Sequence, residues 1–110
     1  MSTVEIAERL RRDLTVAMRA RDHAAVRALR SALAALANAE APALDGAGPA
    51  PTFGLVDHAR LELTADDVDR ILRAEVDERR RAVEEYRRIG RPEHAADVEA
   101  ELAALEPYAG

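Results

Sequence analysis

The chain has 110 residues and a formal charge of −5, enough for one small domain. Alanine supplies 25 positions and Leu, Val, Ile, Met and Phe only 26, so the core must be thin. Without cysteine there is no disulfide, thiolate metal site or cysteine nucleophile. No apolar run reaches the roughly 20 residues that span a bilayer, and no leader-like stretch precedes the first helix signal. We therefore expect a soluble, cytoplasmic protein with no membrane contact.

The first predicted helix, about 3–20, opens on Ser2-Thr3-Val4-Glu5, where a hydroxyl three residues before a carboxylate reads as a capping box. Ile6, Leu10, Leu14, Ala17 and Met18 then mark one apolar face. Asp22 is placed to cap a second helix, about 23–40, with Val26, Leu29, Leu33 and Leu36 as its stripe. The short link makes the two helices antiparallel neighbours.

Residues 41–63 break the period, with Pro42, Pro49, Pro51, Gly46, Gly48 and Gly54. We expect a loop, flexible at 43–52, whose apolar half at 53–63 lies against the helices. Thr64-Ala65-Asp66-Asp67 is a second capping signal and opens the longest helix, about 65–89. Gly90 suits the residue past its end, and Pro92 the first turn of a last helix, about 92–106, bearing Ala95, Val98, Leu102 and Leu105. The expected fold is all-α, two helical hairpins joined by the long loop.

Catalytic chemistry finds little to stand on. His23, His58 and His94 are scattered, and Asp57-His58 and His94…Asp97 are their best carboxylate pairings. No phosphate-binding glycine loop, metal-ligand spacing or nucleophile arrangement occurs. We expect no enzyme activity, cofactor or metal.

Charge placement is more informative. Every basic residue is arginine, 16 in all. Residues 1–40 carry seven Arg against five acids, and residues 92–110 carry five acids and no base. The net charge repels bulk nucleic acid, so an RNA contact would need a local arginine face. Two exist: Arg9, Arg12 and Arg19 on the first helix, and Arg80, Arg87 and Arg88 on the third.

Both faces also have acids one turn away. Asp66–Arg70, Asp69–Arg73, Glu75–Arg79, Asp77–Arg81 and Glu84–Arg88 are spaced i,i+4, as are Glu5–Arg9 and Glu8–Arg12. Each such pair supports a helix by roughly 0.2–0.5 kcal/mol. Self-paired helix faces compete with the binding reading, and nothing aromatic is interleaved to stack on bases.

On a helical wheel, Val68, Leu72, Ala82, Val83 and Tyr86 share one face of the third helix, with Glu75 and Arg79 at its centre. Charges so placed need partners. They can pair with each other, and Arg30, at the edge of its own apolar stripe, is positioned to join them. The trio is a candidate ion pair, either docking the hairpins or forming a recognition spot.

These residues carry a family resemblance. Ala17-Met18-Arg19-Ala20-Arg21-Asp22, Leu29-Arg30-Ser31-Ala32-Leu33 and Asn38-Ala39-Glu40 resemble the first half of the GatB/YqeY family pattern. Leu63-Thr64, Asp67-Val68 and Glu75-Val76-Asp77-Glu78-Arg79-Arg80 are similar to its central part, followed in order by Tyr86, Gly90-Arg91, Glu101-Leu102-Ala103-Ala104-Leu105 and Tyr108. The resemblance implies a helical module related to the tail of the B subunit of the glutamine-dependent aminoacyl-tRNA amidotransferase, a tRNA-contacting module. It also implies an inherited label, carbon–nitrogen ligase with glutamine as amide donor, which we do not expect here without amidase or ATP-using domains. The family pattern continues into a second small helical lobe that is expected to be absent.

The expected function is a binding module for tRNA or an amidotransferase-like protein, with no DNA contact. The rival is a protein–protein adaptor or homo-oligomer using the apolar half of the loop and the acidic last helix; oligomeric state is left open.

Overall fold

Four helices form where capping residues and apolar periods place them, in a computed structural model that describes residues 2–41 and 62–109. Helix α1 (Thr3–Ala20) starts at Ser2, whose hydroxyl accepts the Glu5 amide hydrogen at 3.2 Å. Helix α2 (His23–Glu40) starts at Asp22, whose carboxylate accepts from the Ala25 amide at 3.1 Å. Helix α3 (Ala65–Arg88) has a full capping box. Thr64 Oγ1 accepts the Asp67 N–H at 3.1 Å, and the Asp67 carboxylate accepts the Thr64 N–H at 3.0 Å. Helix α4 (Pro92–Leu105) runs into a 3₁₀ turn, Glu106–Tyr108. It ends one residue short of expectation, where Pro107 has no N–H to continue the ladder. Among the described residues there is no strand.

The two hairpin turns share one geometry. After α1, Arg21 is left-handed (φ 57°), with hydrogen bonds Arg21 N–H to Met18 O and Asp22 N–H to Ala17 O. After α3, Gly90 is left-handed (φ 74°), with Gly90 N–H to Arg87 O and Arg91 N–H to Tyr86 O. Each closes the last orphan carbonyls of its helix in a Schellman arrangement. Gly90 is legible as such a residue; Arg21 occupies the same conformation without glycine's freedom.

Each helix gives the core one fully buried leucine: Leu10, Leu36, Leu72 and Leu105. Burying one contributes roughly 2 kcal/mol. Helix α2 packs against α1, α3 and α4, and its inner face carries Ala28 and Ala32 at 0% exposure. Small side chains there let three neighbours approach one helix, which explains how an alanine-rich chain closes a core. Val76, outside the face read from the sequence, is also buried. Met18, expected inside, is 50% exposed; at 100° per residue it falls beyond Leu14 at the edge of the apolar face of α1.

Most of the loop between the hairpins, with the expectations made for it, lies outside the described residues. At its end Leu63 packs half-buried against the core, and its carbonyl accepts from Thr3 Oγ1 at 3.2 Å. No described helix is long and apolar enough to cross a membrane.

Candidate functional site

The centre of α3 is tied to two other helices. Glu75 and Arg79 are half-buried, with side chains 13% and 11% exposed, and pair at 3.6 Å. The Ser31 hydroxyl of α2 donates to Glu75 Oε1 at 2.5 Å. Arg79 Nη1 donates to the Glu75 carbonyl at 3.0 Å, and its Nε donates to Glu101 Oε1 of α4 at 3.2 Å. Arg27 of α2 reaches the other oxygen of Glu101 at 3.2 Å. Four charges and one hydroxyl thus join α2, α3 and α4. Arg30 is not among them: it is exposed, pointing away from the face that carries Ala28, Leu29 and Ala32, and Ser31 and Glu101 hold the positions considered for it.

The three candidate arginines of α3, Arg80, Arg87 and Arg88, are each paired. Arg80 lies 3.7 Å from Asp77, Arg87 bonds Glu99 of α4, and Arg88 grips Glu85. The Arg88 hydrogen bonds hold the Glu85 carboxyl below its usual range and raise the guanidinium in turn. Of the five i,i+4 pairs offered by spacing on α3, Glu75–Arg79 alone closes within ion-pair distance. Arg70, Arg80 and Arg88 instead take the acid three residues before them.

Helix α1 differs. Arg9, Arg12 and Arg19 lie within a sector of about 80° at 100° per residue, with the 61% exposed Val16 between them. Neither Glu5–Arg9 nor Glu8–Arg12 closes among the described residues. Arg12 and Arg19 are exposed and within ion-pair distance of no described carboxylate. The Arg9 guanidinium lies 4.8 Å from the ring centroid of Tyr108. The Tyr108 hydroxyl donates to the Asp13 carboxylate, and desolvation, then Asp13, push this phenol well above the usual tyrosine range. Tyr108 is 8% exposed, so the end of the fold is seated on α1.

Beside this stripe runs an open cleft of about 390 Å³, lined by Val16, Ala20, Ala100 and Ala103 with Asp13 and Asp22. It lacks the enclosing wall and convergent polar groups of a small-molecule site. Among the described residues no cluster of three or more His, Asp or Glu is placed to hold a metal ion. His23 and His94 are exposed, His94 stacking on Tyr86 at 5.2 Å between centroids; Asp57 and His58 are outside the described residues. The sequence reading missed Ser31 and Glu101 as partners of the central pair and Asp13 as the partner of Tyr108. These contacts join residues far apart in the chain, where helix spacing gives no signal.

No curated protein and no solved structure matches the chain. A family model described as Yqey-like protein matches residues 7–109, nearly the whole length, from within α1 through α4, and the chain belongs to that family.

Proposed function

We propose that this YqeY-like domain is a non-catalytic cytoplasmic binding module of the GatB-tail type, and that its partner is tRNA, met by Arg9, Arg12 and Arg19 of α1. One observation carries the choice of face. Arg80, Arg87 and Arg88 are each held by an acid, while Arg12 and Arg19 stand exposed without one. An arginine already paired must break that contact before it can meet a phosphate; an unpaired one presents its planar donors directly. The acidic α4 does not oppose such an approach with all its charge, because Glu99 and Glu101 are turned to arginines of α3 and α2. The carbon–nitrogen ligase label that the family resemblance implies has no counterpart in this reading.

The test is equilibrium binding of bulk tRNA across a salt series. Binding should weaken steeply with salt, and R9A/R12A/R19A should remove most of it, lowering the salt slope by roughly 0.9 for each phosphate no longer neutralised. R80A/R87A/R88A should change affinity far less. Absence of wild-type binding at low salt would overturn the reading. A protein partner would then be favoured, with the alanine-lined cleft between α1, α2 and α4 as the surface to probe.

A further inference from the structure

We propose that Tyr108 is a positioning residue for the α1 arginine face, holding Arg9 open to a phosphate by lying against the guanidinium and by occupying Asp13, a carboxylate one helical turn away. The inference rests on the tRNA reading above and adds a residue that touches no ligand.

Asp13 lies one helical turn after Arg9, a spacing at which the two side chains can meet. Left alone, that carboxylate is an intramolecular rival to any phosphate. In the structure it accepts from the Tyr108 hydroxyl, and the same hydroxyl lies 3.4 Å from the Arg9 carbonyl. Arg9 meanwhile rests over the Tyr108 ring, 4.8 Å from its centroid. The ring face attracts the guanidinium and so competes with Asp13 for it, while the N–H donors that do not face the ring are left to meet phosphate oxygens. One phenol therefore separates an acid from a base that would otherwise neutralise each other. The contact is built into the fold: Leu105 and Tyr108 belong to the same core cluster as Leu10 and Ala17, so the ring is fixed by packing and not by Arg9.

The experiment is a mutant cycle read as tRNA affinity at fixed low salt, on variants of the 110-residue chain shown to be folded by their melts. Y108F keeps the ring and releases Asp13; it should weaken binding about threefold. D13N in the Y108F background should restore wild-type affinity, whereas D13N alone should change it less than twofold. In an R9A background Y108F should have no further effect. A purely structural role for the hydroxyl predicts no rescue, since D13N returns no contact to Tyr108. If wild type binds but Y108F binds equally well, or D13N gives the same gain in both backgrounds, this inference is overturned and the tRNA reading stands. If wild type does not bind, the tRNA reading fails and takes this inference with it.

Discussion

Arg79 is paired with two carboxylates on two helices, and its loss would leave Glu75 half-buried without a cation and Glu101 with Arg27 alone. Breaking a buried pair by removing one partner costs about 3–5 kcal/mol, and Arg79, with its side chain 11% exposed, approaches that condition. R79A should therefore destabilise the fold by about 3 kcal/mol, measured by urea titration. S31A, which removes only the hydroxyl from Glu75, should cost about 1 kcal/mol. R30A should leave stability within about 0.5 kcal/mol of wild type, as for an ordinary surface change. An Arg79→Ala melt superimposable on wild type would show that the network is solvated and does not dock the hairpins.

At the scale of the element, the helix ends give sharper predictions than the faces. The hydrogen bonds with Thr64 hold the Asp67 carboxyl below its usual range, Arg70 adding to the effect. A carboxyl lowered in the folded state contributes stability above its unfolded pKa and loses it as pH falls through the folded value. The acid limb of the stability profile should accordingly be shallower in D67N, checked by melts from neutral pH down through the carboxylate range. Both hairpin turns favour glycine, so a substitution that removes it and one that introduces it should act in opposite directions. G90A meets no atom within 4 Å of the added Cβ but retains φ 74°, so conformational strain alone should cost about 1 kcal/mol. R21G places glycine at φ 57° and should raise the melting temperature, the relief of strain exceeding the added freedom of the unfolded chain. These ends are legible because a cap is local: Ser2, Asp22, Thr64 and Gly90 each act within a few residues. The ion pairs are legible only in part. Spacing finds Glu75–Arg79, but Arg79–Glu101, Ser31–Glu75 and Arg87–Glu99 depend on how helices sit against one another. A wheel reports which residues share a face and not how much of that face a neighbour covers, which is why Met18 reads as an inside residue.

For the whole molecule, the decisive closure is the return of the chain end to its first helix. With α2 already packed against the other three helices, Tyr108 adds a direct bond between the last turn and α1, 95 residues apart in sequence. Its role should be visible at high pH. Desolvation and the Asp13 carboxylate raise the phenol's pKa in the folded state, outweighing the opposing pull of Arg9 and Arg12. The unfolded chain therefore loses this proton first. A raised folded pKa gives stability that is complete below the unfolded value, about 10 for tyrosine, and that drains away as pH climbs toward the folded one. Melts taken upward from neutral pH should hold until about pH 10 and then fall. Y108F, which has no proton to lose, should start from a lower plateau and decline less steeply. An alkaline limb identical in Y108F and wild type would place the loss elsewhere, in the general repulsion of an already acidic chain, and would remove Tyr108 as the bond that closes the fold.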